Sequence, residues 1–387
     1  MKRSVIFLAA ALAATTLSAK DEKGDDETLK PKFTPVGTIL IDGAVYASPQ
    51  KGEFPDGVAL PDARLGVIMN YGKWSAKVEA SYAYSAVTLK DVWMQYSFNP
   101  QNFIRAGLAM QHFGYQNSTA ACMKVTMIEP VSNTVFNEPH MLGVGYYHLA
   151  DRYFLTASVH AEPKASTLIV APDQLAREGY GVRMRAVARP FHSDGVMLQA
   201  GMSGAWLTPQ FTGTPDTHDS FTFGANMPTK VTLHKAIGAT VDHARNQWKF
   251  TPELMGAWHK VALESQYFFS QVNRRDAFPA YRAYGAYATL RGIALGKDYA
   301  YNMALAGIDT PGKGTLEWMA SYNYTCLSDA SSAIYGGRLS DVSCGLNYYF
   351  NRYFTAKLRY SYTHVWDRAD AAPVSLNAVQ MRLQVIF

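Results

Sequence analysis

The chain has 387 residues, with 36 Lys and Arg against 31 Asp and Glu and a formal net charge of +5. Charged residues make up only 17 % of it and aromatic residues 13 %, a positive balance too mild for a nucleic-acid partner and too few charges for the outer face of a soluble all-β protein. Cys122, Cys326 and Cys344 stand in no metal-ligand or redox spacing, and the ten histidines form no His-Glu-x-x-His pattern, so no metal, cofactor or disulfide framework is implied.

The N-terminus combines Lys2 and Arg3, an apolar run from Val5 to Leu17 and small residues ending at Ala19, the three regions of a secretory signal peptide. Its apolar core is too short to anchor the chain in a bilayer. We therefore expect a signal peptide at 1–19 and an exported mature chain, whose formal charge falls from +5 to +3 once those two cations are removed. The segment that follows, K-D-E-K-G-D-D-E-T-L-K-P-K, is a solvated periplasmic leader at 20–32. Beyond it no apolar run approaches the roughly 20 residues of a membrane helix.

From Phe33 to Phe387 the recurring unit is a stretch of about ten residues with period-two alternation, bounded by turn residues. Leu65, Val67, Met69 and Tyr71 face one way, Gly72-Lys73 turns the chain, and Trp74, Ala76, Val78, Ala80 and Tyr82 continue on the same side. Brief turns are expected near 72–73, 99–102, 150–152, 190–195, 256–258 and 351–352. Long polar connections are expected at 48–62, 113–140, 164–179, 208–245 and 326–339. Strand parity places the stretch 292–313 on the short-turn side. Nine strands fit before about residue 207 and seven after about 246. Sixteen is an even number that closes an antiparallel barrel; a pair hidden in 220–241 would make it eighteen.

The chain closes on A-V-Q-M-R-L-Q-V-I-F, with Val379, Met381, Leu383, Val385 and Phe387 on one side and Gln380, Arg382 and Gln384 on the other. Tyr and Phe gather at strand ends, which suits girdles at two membrane interfaces. The fold class is therefore all-β, a transmembrane antiparallel β-barrel of about 16 strands. In hydrocarbon an unpaired backbone amide costs several kcal/mol, so the last strand must pair with the first.

No motif specifies an active site. Gly307-Ile308-Asp309-Thr310-Pro311-Gly312-Lys313 mimics a phosphate loop, but Gly314 stands where Ser or Thr is needed and a strand pattern follows. Gly201-Met202-Ser203-Gly204-Ala205 lacks the last glycine of a nucleophile elbow. His140, His160 and His364 are the candidates an outer-membrane enzyme would use.

Five stretches carry a resemblance over nearly the whole mature chain: D-A-R-L-G-V-I-M-N-Y from Asp62, V-T-L-K-D-V-W-M-Q-Y from Val87, Arg105 to Gly114 ending H-F-G, G-G-R-L-S-D-V-S-C-G-L-N-Y-Y-F-N-R-Y-F from Gly336, and V-Q-M-R-L-Q-V-I-F. In this order they resemble the phosphate-selective porin O/P family of bacterial outer-membrane channels. The resemblance implies a sixteen-stranded barrel, a homotrimer, a third loop folded inward over Tyr115 to Pro139, and a terminal Phe387 read by the outer-membrane assembly machinery. Two departures bear on selectivity: Met110 stands where the family pattern has lysine, and Pro130 where it has arginine. The loop then offers Lys124 against Glu129 and Glu138.

If each apolar face meets lipid, the opposite faces line water. Their basic candidates are Arg64, Lys77, Arg105, Arg183, Arg185, Arg189, Lys249, Lys357, Arg359 and Arg382, with Lys124 added from the loop; the acidic ones are Glu79, Asp91, Glu253, Glu264 and Glu317. Arg183, Arg185 and Arg189 fall roughly 7 and 14 Å apart along one wall. Such a row either passes an anion from one guanidinium to the next or braces the barrel by pairing with acids. The expected function is passive diffusion of small hydrophilic solutes with a weak preference for anions, phosphate among them. A loop-plugged structural or adhesin-type barrel is the alternative from another class.

Overall fold

The structure is a computed structural model that describes residues 30–48, 52–138, 140–166, 179–209, 219–369 and 371–387. The signal peptide expected at 1–19 and nearly all of the leader at 20–32 lie outside the described residues.

Sixteen antiparallel strands close into a barrel. In chain order they are β1 (Lys32–Ala47), β2 (Gly57–Tyr71), β3 (Trp74–Ala83), β4 (Ala86–Asn99), β5 (Asn102–Met110), β6 (His140–Leu149), β7 (Tyr153–Ala161), β8 (Tyr180–Ser193) and β9 (Val196–Leu207). A separate hairpin, β10 (Phe221–Asn226) and β11 (Lys235–Val241), precedes the next barrel strands, β12 (Ala244–Trp258), β13 (Val261–Arg274) and β14 (Tyr281–Leu295). A second small hairpin, β15 (Tyr301–Asn302) and β16 (Gly307–Ile308), leads to β17 (Thr315–Asp329), β18 (Ile334–Tyr349), β19 (Phe354–Arg368) and β20 (Val374–Ile386).

Closure comes from β1 against β20, in register from Thr38 with Ile386 to Ala47 with Asn377. The final residue extends this seam: Gly37 and Phe387 exchange backbone hydrogen bonds of 2.8 and 3.0 Å. A Cβ on Gly37 would lie 2.3 Å from Cζ of Phe387, so the terminal ring occupies the space that glycine leaves. Val379, Met381 and Leu383 are exposed on the outside, and Gln380, Arg382 and Gln384 are buried inside, the side assignment that the alternation requires in a bilayer.

Three expectations need correction. The turn placed near 256–258 falls at 259–260, because Ala257 and Trp258 still pair with Ala262 and Val261. The segment 326–339 is not a long loop: β17 and β18 keep their ladder as far as Asp329 with Ile334. The strand pair sought in 220–241 exists as β10 and β11, but it pairs only with itself, so the wall keeps sixteen strands.

A fourth correction concerns the inside. The alternation predicts wet, polar inward positions, yet Phe268, Val272, Tyr281, Leu327, Leu339, Val365 and Leu376 are buried there. They form one apolar cluster with Phe221, Phe223, Ile237 and Val241 of the β10–β11 hairpin and with Val131, Val135 and Phe136 of the short helix α1 (Val131–Phe136). Burying these side chains is worth roughly 1.5–3 kcal/mol each, which gives the hairpin and helix a reason to pack against the wall.

Candidate functional site

Besides Phe54 of the β1–β2 connection, three longer connections contribute side chains and backbone to the barrel's inner surface among the described residues. The first is the β5–β6 connection, 111–139. Its backbone is held by inward side chains from many strands: Ser203 accepts from the Gly114 amide at 2.9 Å, Gln266 from the Gln116 amide at 2.9 Å, and Asn347 donates to the Val125 carbonyl at 3.0 Å. Lys357 donates to the carbonyls of Lys124 (2.7 Å) and Cys122 (3.2 Å), Arg382 to that of Met127 (2.6 Å) and Lys249 to that of Phe136 (2.9 Å). A loop so placed would otherwise leave carbonyls unsatisfied away from water; the cations supply the missing donors.

The second is the β9–β12 connection, which includes the β10–β11 hairpin. Its tip is fixed by Arg359 and Gln380, which donate to the Pro228 carbonyl at 3.0 and 3.1 Å, and by Tyr84, whose hydroxyl donates to the Lys230 carbonyl at 2.7 Å. Tyr84 sits with Ser85 in a two-residue turn, both with positive φ (48° and 68°). Its hydroxyl bond helps hold a conformation that non-glycine residues rarely adopt.

The third is the β14–β17 connection, on the short-turn rim where strand parity placed 292–313. It is tied by Arg189 to the Met303 carbonyl (3.0 Å), Gln199 to the Ala306 carbonyl (2.9 Å) and His259 to Asp298 (2.6 Å). Tyr299 donates to Glu317 at 2.8 Å, and that carboxylate also receives Arg291 (2.8 Å), Tyr349 (2.8 Å) and Asn347 (3.2 Å). Gly307 meets Tyr115 of the first connection so closely that a Cβ there would lie 2.1 Å from the tyrosine ring.

Against this background the basic candidates separate into two groups. On the crowded side, Arg185 makes a two-pronged pair with Glu253 (3.0 and 2.7 Å) and Arg359 pairs with Asp341 at 2.6 Å; Arg382, which also borders the cavity of the open side, is held by Asp42 through two bonds of 2.7 Å. Arg183 and Lys249 converge on Glu138, Arg183 also donates to His160 at 3.1 Å, and Arg189 binds the carbonyls of Asp151, Ala150 and Met303. Arg183, Arg185 and Arg189 are each at most 1 % exposed, and each is engaged with a carboxylate or with backbone carbonyls. Burial favours the neutral form of Glu138, but the attraction of Lys249 and Arg183 outweighs it and holds the carboxyl near 2.

On the other side, Asp62, Glu79 and Ser81 are buried, but Arg64, Lys77, Lys90, Asp91, Trp93, Gln95 and Arg105 of β2 to β5 stay half-buried. Arg64 pairs with Asp62 at 2.7 Å and Lys77 with Asp91 at 2.7 Å and Glu79 at 3.1 Å. Arg105 donates to Gln95 at 2.8 Å and lies 4.1 Å above the Trp93 ring. Between these strands and the 111–139 connection lies a cavity of about 250 Å³, lined by Arg64, Lys90, Lys124, Glu129, His140 and Lys230 among others. Lys124 donates to Thr119 (2.8 Å) and to the Gln116 carbonyl, and burial lowers it to about 8 against the pull of Glu129 and Glu264.

Lys90 and Lys230 were missed in the sequence, and so was Arg291. Strict alternation from Asp91 places Lys90 outside, but the ladder shifts between Val78/Val92 and Ala80/Leu89, so Lys90 and Asp91 together oppose Glu79. Such a bulge re-aims a side chain. Lys230 lies in what read only as a long loop. Arg291 does follow the alternation of β14 and was within reach of it. Of the enzyme candidates, His140 Nε2 is 3.6 Å from Asp91, His160 accepts from Arg183, and His364 bonds Ser375 (2.9 Å) on the outward face, stacked on Trp366. No group of three or more metal-binding side chains occurs among the described residues.

The family model described as phosphate-selective porin O and P matches residues 58–387. No curated protein matches in sequence. Similar solved structures include an anion-selective porin from Comamonas acidovorans, 10 % identical over 92 % of this chain and 100 % of that one, with a TM-score of 0.62. The outer membrane channel DcaP of Acinetobacter baumannii is 10 % identical over 92 % and 97 %, TM-score 0.57. OmpT of Vibrio cholerae in its trimer form is 12 % identical over 92 % and 99 %, TM-score 0.55. At these identities the structures establish the shared barrel fold.

Proposed function

The chain belongs to the phosphate-selective porin O and P family and is an outer-membrane porin; from that premise we propose that solutes pass between the 111–139 connection and the β2–β5 wall. The observation that carries this reading is the contrast in burial. Inward groups of β8 to β20 such as Glu253, Thr289, Glu317 and Lys357 are sealed, whereas Arg64, Lys77, Asp91, Trp93 and Arg105 keep solvent access. The 111–139 connection is then the inward third loop that narrows the channel.

The mechanism is passive diffusion down a gradient, with no reaction on the solute. Among the charges of the passage, Lys90 and Lys230 have no carboxylate partner among the described residues, while Arg64, Lys77 and Arg382 are neutralised by Asp62, Asp91 and Asp42. Low-dielectric walls focus that uncompensated charge, which gives a modest anion preference. In a potassium chloride gradient across a planar bilayer, the reversal potential should carry the sign of chloride preference; a cation-selective current overturns the bias.

The export signal at 1–19, recognition of Phe387 by the assembly machinery and a homotrimeric state complete the reading, the last supported by the trimer form of OmpT among the similar structures. Mass spectrometry of the mature N-terminus and native electrophoresis of detergent-purified protein test the first and last. The loop-plugged barrel keeps one supporting observation, the apolar cluster that fills part of the interior. Liposome swelling in small sugars separates the two, since a plugged barrel admits none.

A further inference from the structure

The charges of the cavity can be sorted by what already satisfies them. Arg64 is held by Asp62, Arg382 by Asp42, and Lys124 by the Gln116 carbonyl and Thr119. Three groups are left without an ion pair among the described residues: Lys90, Lys230 and the carboxylate of Glu129. Glu129 accepts hydrogen bonds from Asn133, at 2.9 Å, and from the Thr134 side chain, both neutral donors. Burial favours its neutral form, yet Lys124 and Lys230 lower it below the usual carboxylate range, so it faces the cavity as an anion.

These three groups are held in place by independent parts of the fold. Lys90 is aimed by the bulge in β4, Lys230 by the Tyr84 hydroxyl and by the anchoring of Pro228, and Glu129 by the turn that precedes α1. The cavity, at about 250 Å³, is smaller than the roughly 300–1,000 Å³ of drug-sized pockets. Two ammonium groups and one carboxylate, none of them in a direct ion pair among the described residues, do not suit a simple anion equally well on every side. A phosphate or a plain dicarboxylate would meet both lysines but would be repelled by Glu129.

We propose that this cavity favours compact anions that also carry an ammonium group, with acidic amino acids as the simplest members of the class. The two carboxylates of such a solute meet Lys90 and Lys230, and its ammonium meets Glu129. The step is reversible binding during diffusion, and no bond is made or broken. The inference rests on the channel reading above and adds the solute class to it.

The test uses the full-length mature protein in planar bilayers, with L-glutamate, succinate and phosphate titrated in turn as blockers of the potassium chloride current. L-glutamate should block at roughly tenfold lower concentration than succinate, the effect of one charge-assisted hydrogen bond. Glu129→Gln should remove that ratio and leave succinate block equal or stronger, while Lys90→Gln and Lys230→Gln should weaken block by both. Succinate or phosphate blocking as well as L-glutamate, or a ratio that survives Glu129→Gln, overturns the inference. Should Glu129→Gln fail to insert, the wild-type series decides alone. Absence of any potassium chloride current overturns the channel reading and this inference together, whereas normal current without preference for L-glutamate overturns only this inference.

Discussion

The inner faces of β4 and β14 share a two-residue alternation, broken in β4 by the bulge at Lys90, and meet opposite fates. On β14, Tyr281, Ala283, Tyr287, Thr289 and Arg291 are sealed by loop and hairpin residues, and Arg291 is committed to Glu317 and Glu264. On β4, Lys90, Asp91, Trp93 and Gln95 stay half-buried, and Lys90 has no ion partner among the described residues. A charged residue on a barrel's inner face is therefore not by that fact a solute contact. It becomes one only where no other segment of the chain reaches it first.

That contrast can be broken most sharply at Arg185. Arg185→Met leaves Glu253 buried without its cation, which costs about 3–5 kcal/mol. Urea titration of the folded, heat-modifiable band on a gel should show the loss, with ion selectivity unchanged. A shift in selectivity with stability intact would place Arg185 on the solute path after all.

Next comes Gly307→Val at the meeting of the first and third connections. The added side chain must displace the Tyr115 ring, an overpacking cost of about 1–3 kcal/mol. Single-channel conductance should change together with stability, because the displaced loop borders the passage. Unchanged conductance would show that the two connections do not jointly set its width.

A smaller effect is expected from pH through Lys124. Burial lowers its folded pKa to about 8, below the ordinary lysine value of about 10.4. Between those values the unfolded chain binds more protons, so this residue's contribution to stability rises with pH across the window. The same titration removes one positive charge from the passage, and the reversal potential should move toward cations as pH passes through about 8. Lys124→Met should abolish that movement.

The least effect on stability, within about 0.5 kcal/mol, belongs to Lys90→Glu and Lys230→Glu on the open side. Their reversal potential should nonetheless shift toward cation preference, the inverse of the Arg185 outcome. Large loss of stability with unchanged selectivity would erase the distinction between the two sides.

Much of the wall was legible in the residues. The alternation through Val379 to Phe387 fixed which side meets lipid, because a strand in hydrocarbon can keep only apolar groups outward and cannot leave an edge unpaired. Nine strands before 207 and seven after 246 followed from turn chemistry in the same way. Loop 326–339 was misread because Ser328, Asp329 and Ser331 look like turn residues, although the ladder continues to Asp329.

The composition and period of this chain determined by themselves a closed antiparallel barrel of sixteen or eighteen strands and the direction of each regular side chain, since both depend on neighbours along one strand; the separate pairing of β10 with β11 decided for sixteen. Only the tertiary structure decided which inward charges are braced and which remain open. That choice depends on where the 111–139 segment, the 221–241 hairpin and the 296–314 connection settle. Their contacts join residues such as Lys357 and Cys122, or Arg382 and Met127, far apart in the chain, and the bulge that turns Lys90 inward arises from the pairing of two strands and not from the order of residues in either.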